Sequence, residues 1–299
     1  KLWNATRFVV GNIESTRPFG QIEWEKLAVE DRWILSRLNR TLSSVGFLMQ
    51  DFQFEEAQRQ INGFLWGEFC DWYIELAKIR LRSTTDKFPT PLVVLVHVLE
   101  TSLRLLHPFM PFVTEELWQN LKRGLASDWQ VGDSIMVAPY PEAEASAGDP
   151  EAERIMATII EIIRAVRNAR TEYKVPASQW VEVQIYGGEL APSIIPYQSV
   201  IETLARVKSL VVQKTRRSRA KNENALVSVL SEVEVVIPMA SVIDMEGEKR
   251  RLQGEIVQIQ TEIIRLETRL QDNAFLTRAP VAVVNKERDR LAVVVDKLA

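Results

Sequence analysis

"FEEAQRQINGFLWGEFCDWYIELAKIRLR", residues 54–82, carries no proline and sets two adjacent aromatic rings, Trp72 and Tyr73, between carboxylates. At helical spacing Phe69, Trp72, Tyr73 and Leu76 fall at i, i+3, i+4 and i+7, which makes one apolar stripe. Asp71, Glu75 and Lys78 share the opposite face. An acid pair, an anion-reading surface and a core helix with a wet back are three readings of that pattern. The spacing favours the third, and nothing nearby supplies a nucleophile or metal for the first.

The neighbouring segments repeat the pattern. "WEKLAVEDRWILSRLNRTLSSVGFLM", residues 24–49, places Trp33, Leu35, Leu38 and Leu42 on one side with charges between them. "PLVVLVHVLETSLRLLH", residues 91–107, is apolar nearly all round, as expected of a central buried helix. His107-Pro108 should end it, and Thr114 is expected to cap the next helix with Glu115 and Glu116 in its first turn. Residues 1–150, with a Gly-, Ala-, Ser- and Pro-rich linker from 124 onward, therefore read as a helical bundle.

One amphipathic helix then opens residues 151–243, and the period changes to two. "WVEVQIY" (180–186) alternates, "LVVQK" (210–214) is β-branched, and "ALVSVLSEVEVVIP" (225–238) reads as a hairpin around Ser231-Glu232. With a helix near 193–206, this is a small α/β unit. In residues 244–299, Leu252, Ile256, Ile259, Ile263, Leu266 and Leu270 form a heptad seam, and Val284, Leu291 and Leu298 repeat every seven. Pro280 can open the second helix. The expected fold is mainly α: a bundle, the small α/β unit, and an antiparallel coiled-coil hairpin.

Composition narrows the function classes. The single cysteine, Cys70, excludes an internal disulfide framework and a cysteine-built zinc site, and fits a reducing compartment. His97 and His107 lack metal-ligand spacing, so no metal is expected. No apolar run is long enough for a membrane span. The net charge of −3 divides into −7 through residue 205 and +4 from Arg206 onward, which points a polyanion toward the C-terminal third. The densest basic run is "KTRRSRAK", where Lys214, Arg216, Arg217, Arg219 and Lys221 form a candidate phosphate patch. Lys1 is followed by "LWNATRFVV", without a starting Met or a signal-peptide pattern, as expected of a piece of a longer chain.

"KLWNATRF" (1–8), "DRWILSRLN" (31–39), "EFCDWYIELAK" (68–78) and "LLHPFMPFVTEELW" (105–118) together resemble the anticodon-binding domain of the valyl-tRNA synthetases. "IPMASVIDMEGEKRRL" (237–252) and "AFLTRAPVAVVNKERDRL" (274–291) resemble their C-terminal arm. The H-P-x-M-P-F-x-T-E-E-L-W pattern is shared with isoleucyl and leucyl enzymes, whereas "EFCDWYIELAK" and the turn of the arm are specific to the valyl family. The resemblance implies a cytoplasmic, monomeric protein that partners valine tRNA and its own catalytic domain. Anticodon contacts are implied near Arg7, Trp33, Arg37, Trp72, Tyr73 and Lys78, since unstacked bases lie on aromatic faces and arginines meet phosphates and base edges. Arm contacts to the outer corner of the tRNA are implied at Arg250, Arg251, Arg265, Arg269, Arg278, Lys286 and Arg288. Each has a structural alternative: core packing for the rings, ordinary coiled-coil flank charges for the arm.

The H-x-G-H and K-M-S-K-S type sequences that such enzymes use to activate valine with ATP and Mg do not occur in these residues. The chain is expected to bind tRNA and to be inactive alone, with no cofactor of its own; the valyl enzyme's discrimination against threonine, a worked example of editing, belongs to other domains. The alternatives are another synthetase of the isoleucyl and leucyl group, or a coiled-coil scaffold that binds a partner protein. The isoleucyl enzymes typically add a cysteine zinc site that one cysteine cannot build.

Overall fold

A computed structural model describes residues 1–13, 22, 24–83, 90–125, 132–144, 148–215, 225–242, 245–272 and 280–296. The bundle begins with α1 (Leu2–Gly11) and α2 (Val29–Gln50). At the start of α2, the Asp31 carboxylate accepts the Ala28 N–H at 3.1 Å, so a free donor of the helix terminus is satisfied from inside. The 54–82 stretch is continuous: α3 (Phe54–Phe64) widens into a π-helix at Leu65–Tyr73 and narrows again into α4 (Ile74–Ser83). In the wide part, the Ile74 N–H bonds the Phe69 carbonyl five residues back. The expected stripe is there: Phe69, Trp72, Tyr73 and Leu76 are all buried. Asp71 meets Lys1 at 2.7 Å, and Glu75 meets Lys78 at 2.6 Å, on the outer face.

Helix α5 (Thr90–Leu106) lies at the centre, with Leu95, Leu99, Leu103 and Leu106 fully enclosed. Helix α6 (Pro111–Gly124) follows after a tight turn. Here the cap expectation needs correction. Pro111 is the first helical residue, and Thr114 lies inside the helix, where its hydroxyl bonds the Met110 carbonyl at 2.8 Å and His107 Nδ1 at 2.7 Å. Proline supplies the preset φ and lacks only an N–H that the first turn would leave unused, so no threonine cap is needed.

Helix α7 (Pro150–Glu172) is capped by Asp149, whose carboxylate accepts the Ala152 N–H at 2.9 Å. It packs against α2 and carries the α/β unit. The sheet order is β2 (Val207–Gln213), β1 (Val181–Tyr186), β4 (Glu234–Pro238), β3 (Ala225–Val229). Strands β1 and β2 run parallel, joined through α8 (Ala191–Ile194) and α9 (Gln198–Ala205); the other pairings are antiparallel. Alternation in β1 buries Val181, Val183 and Ile185.

A buried ionic group ties the bundle together and reaches the α/β unit. Arg80 of α4 approaches Asp31 at 2.7 and 2.8 Å and Glu30 at 3.0 Å. The Tyr73 hydroxyl donates to Asp31 at 2.7 Å, and the Tyr197 hydroxyl, just before α9, donates to Glu30. Asp31 and Glu30 are buried, and one guanidinium and two phenols answer them.

After α10 (Met239–Val242), the arm consists of α11 (Met245–Gln271) and α12 (Val281–Asp296). Pairs Glu262–Arg290 at 2.6 Å and Arg269–Glu287 at 3.2 Å set an antiparallel register. Leu266, Val284 and Val294 are buried between the helices, and Ile259, Ile263, Leu270 and Leu291 are half-buried. Ile256 departs from the expected seam and is 44% exposed. In this register Ile256 lies at the limit of the described part of α12. Leu252 and Leu298 lie outside the described side chains.

Candidate nucleic-acid interface

Three kinds of surface could meet a folded RNA: cations free to reach phosphates, exposed ring faces, and grooves deep enough for a base. The sequence-derived anticodon residues divide sharply among them. Arg7 is exposed on α1. Lys78 is partly open; its ammonium stands 5.3 Å from the centre of the Phe8 ring, which sets it beside α1. Lys78 is paired with Glu75 at 2.6 Å, whereas Arg7 has no ion pair among the described residues.

The other four are corrected by their surroundings. Trp33 is 4% exposed and Tyr73 0%, both in the bundle core, and neither offers an open face to a base. Tyr73 is held by Asp31, and burial together with that carboxylate keeps its hydroxyl protonated far above the usual tyrosine range. Trp72 is likewise enclosed, with the guanidinium groups of Arg164 and Arg167 each 5.4 Å from its ring centre. Arg37 donates two parallel bonds to Glu68, at 2.7 and 2.8 Å, and lies 3.6 Å from Glu153. That fork joins α2 to the π-helical segment and to α7, and the bonds that Glu68 accepts raise the arginine's pKa despite its partial burial. Arg37 is an internal brace.

In the arm, Arg265, Lys286 and Arg288 are exposed, and Arg269 is paired with Glu287. The side chains of Arg250 and Arg251, and the whole of Arg278, lie outside the described residues. So do Arg216, Arg217, Arg219 and Lys221; the remaining member of that run, Lys214, pairs with Glu189 at 2.7 Å on the surface.

A groove of about 860 Å³ lies between α2, α5 and the segment 139–144, which neither hydropathy nor motif reading had singled out. Trp24 stands at its side, and its polar lining includes Asn39, His97, Glu100 and Arg104. Glu100 is buried and paired with Arg104 at 2.6 Å; Glu142 and Glu144 add further negative charge. The groove is the wrong sign for phosphate but has an aromatic wall suited to an uncharged ring. Among the described residues no group of three metal-ligating side chains converges, and no helix is long and apolar enough to cross a membrane.

The bundle and the sheet it leads into define a recognised class. Residues 31–185 match the family model described as the anticodon-binding domain of tRNA ligase, and the chain belongs to that family. Residues 244–299 match the valyl tRNA synthetase tRNA binding arm. Relatives along nearly the whole chain carry the name valine--tRNA ligase. The protein of Dehalococcoides mccartyi (strain CBDB1) is 45% identical over 299 residues, all of this chain and 33% of the relative. That of Carboxydothermus hydrogenoformans is 40% identical over 97% of this chain and 32% of its own length. That of Thermotoga maritima is 39% identical over 100% of this chain and 32% of its own length. The chain thus spans about a third of these relatives.

Proposed function

We propose that this chain is the tRNA-binding portion of a valine–tRNA ligase. The bundle reads the anticodon of valine tRNA and the arm touches the outer corner of the same molecule. The observation that carries this reading is the match of the two modules, each in its own place, within one chain aligned end to end with valine--tRNA ligases. The attachment of valine, with its ATP and magnesium, is the work of the remaining two thirds of such a ligase, and this chain alone catalyses nothing. We place the protein in the cytoplasm as a monomer.

Physical chemistry assigns the contacts. Arg7 and Lys78 supply charge at the bundle surface, while Arg265, Lys286 and Arg288 supply it along the arm. The outward aliphatic side chains Ile264, Val293 and Val295 on the arm favour a second reading, a hairpin that binds a partner protein's helix. Gel retardation with valine tRNA separates the two. A shift that weakens with salt is expected, and its absence at low ionic strength removes the tRNA reading. Arg7→Ala should then blunt discrimination against anticodon-swapped tRNA, whereas Arg288→Ala should weaken all tRNAs alike.

A further inference from the structure

Arg164, Arg167 and Arg170 on α7, and Lys174 in the turn just after it, recur at intervals of three, three and four residues. Arg206, in the turn between α9 and β2, closes on the far end of that row. With Arg167, Arg170 and Lys174 it rims a shallow depression of about 770 Å³. The row begins on the bundle, where Arg164 and Arg167 cover Trp72, and ends on the α/β unit.

The five share a lack of counter-charge. Many other surface arginines here are answered by carboxylates, as Arg154 by Glu232 and Arg59 by Glu56. None of the five forms an ion pair among the described residues. Three are held by backbone carbonyls: Arg167 by Leu204 at 3.0 Å, Arg170 by Gln179 at 2.8 Å and Pro176 at 3.1 Å, and Arg206 by Ala177. A carbonyl orients a guanidinium without neutralising it, and each fork keeps donors to spare. Arg170 shows the crowding of charge, since burial and then the neighbouring Arg206 charge lower its pKa.

The backbone adds an independent sign. Lys174 and Arg206 adopt left-handed conformations, with φ of 51° and 57°, which are strained for any residue with a side chain. Glycine or asparagine would occupy either position more cheaply. Among the described residues only Phe52 shares this conformation without being glycine. Two such residues, both cations at the edge of one depression, mark a surface maintained for charge.

We propose that this ridge is a contact for the phosphate backbone of the tRNA, distinct from both the anticodon site and the arm. It rests on the tRNA reading above. It positions the RNA between the two modules and carries no sequence information, because guanidinium and ammonium groups facing phosphates are blind to the bases. Each phosphate neutralised releases condensed counterions, so each contact adds about 0.7–0.9 to the slope of log K against log salt concentration.

The test uses the full chain and valine tRNA, titrated by fluorescence anisotropy over a range of salt. Arg167→Gln/Lys174→Gln/Arg206→Gln should lower the slope by about two and weaken binding about tenfold or more at low salt. Loss should be equal for anticodon-swapped tRNA. Lys174→Gln alone guards against misfolding, since its ammonium makes no hydrogen bond or ion pair among the described residues, and it should lower the slope by about 0.7–0.9. Arg59→Gln, on α3 and paired with Glu56, should leave the slope unchanged. Binding with an unaltered slope in both ridge variants overturns the ridge and leaves the tRNA reading standing. A parent chain that binds no tRNA overturns both.

Discussion

Replacing Arg80 with methionine tests the buried ionic group as the joint of the molecule. Methionine keeps most of the aliphatic stem, so the packing loss is small and the perturbation is mainly the charge. Asp31 loses its contacts at 2.7 and 2.8 Å and Glu30 loses one at 3.0 Å. Asp31 keeps the Tyr73 hydroxyl and the Ala28 N–H, and Glu30 keeps Tyr197, so neither is stripped bare. Breaking a buried ion pair from one side costs about 3–5 kcal/mol, and the surviving hydrogen bonds argue for the lower end. At about 2–4 °C of melting temperature per kcal/mol, the unfolding midpoint should fall by about 6–12 °C. Thermal melts followed by circular dichroism and tryptophan fluorescence measure it. A triple variant, Glu30→Gln/Asp31→Asn/Arg80→Met, should recover much of the loss, because no charge is then left buried alone. A drop below about 2 °C for Arg80→Met, or no recovery in the triple variant, refutes the account.

Three further outcomes are expected. Tyr73 and Tyr197 both hold their protons more tightly in the folded state than an ordinary tyrosine, for which the reference lies at 10.0, chiefly because they are buried. The unfolded chain therefore releases protons first, and stability should be intact below about pH 10 and fall above it by up to about 1.4 kcal/mol per pH unit per tyrosine; chemical denaturation from pH 8 to 11 shows this, and Tyr73→Phe should shallow the decline. Trp33→Ala should cost about 3–5 kcal/mol in a urea titration by opening a core cavity, in contrast to Arg7→Ala, which should cost under about 0.5; a Trp33→Ala chain of normal stability would falsify its place in the core. Glu287 is largely enclosed between the arm helices, with one carboxylate oxygen lacking a hydrogen bond. Replacing the pair together, Arg269→Met/Glu287→Leu, should therefore raise the melting temperature of the helical signal from the arm, and a lower one contradicts the geometry.

The architecture was legible where a single periodicity decided it. The stripe at Phe69, Trp72, Tyr73 and Leu76, the hairpin around Ser231-Glu232 and the far part of the coiled-coil seam all lie where spacing placed them. Ile256, 44% exposed, is where heptad spacing and burial part, because a heptad marks the apolar face of a helix and not whether a partner side chain stands opposite it. Trp33 and Arg37 show why the site was harder. Motif position said that they matter, but an arginine on a helix back looks the same in sequence whether it faces solvent or, as here, Glu68 of another helix. Net charge pointed to the third of the chain where the tRNA binding arm is matched, at residues 244–299, but not to α7. The basic tail drew attention to residues beyond 206, while Arg164, Arg167 and Arg170 of α7 sit in the acidic part of the chain and, unlike Arg154 of the same helix, form no ion pair among the described residues. The spacing of Arg164, Arg167 and Arg170 was visible; their lack of partners became so only once the neighbours were placed.

The π-helical turns between Leu65 and Tyr73 have a consequence for length variation. A π turn winds about one more residue than an α turn into the same angular sweep, so this segment stores surplus chain without rotating what lies on either side. Deleting Gly67 should let it relax toward ordinary α geometry, with Phe64 above and Arg80 below still aimed at their neighbours. The same deletion in α2 would swing every later side chain by about 100° and point Leu38 and Leu42 at water. One stretch of this protein can thus gain or lose a residue where its companions cannot, and its descendants should show gaps there first.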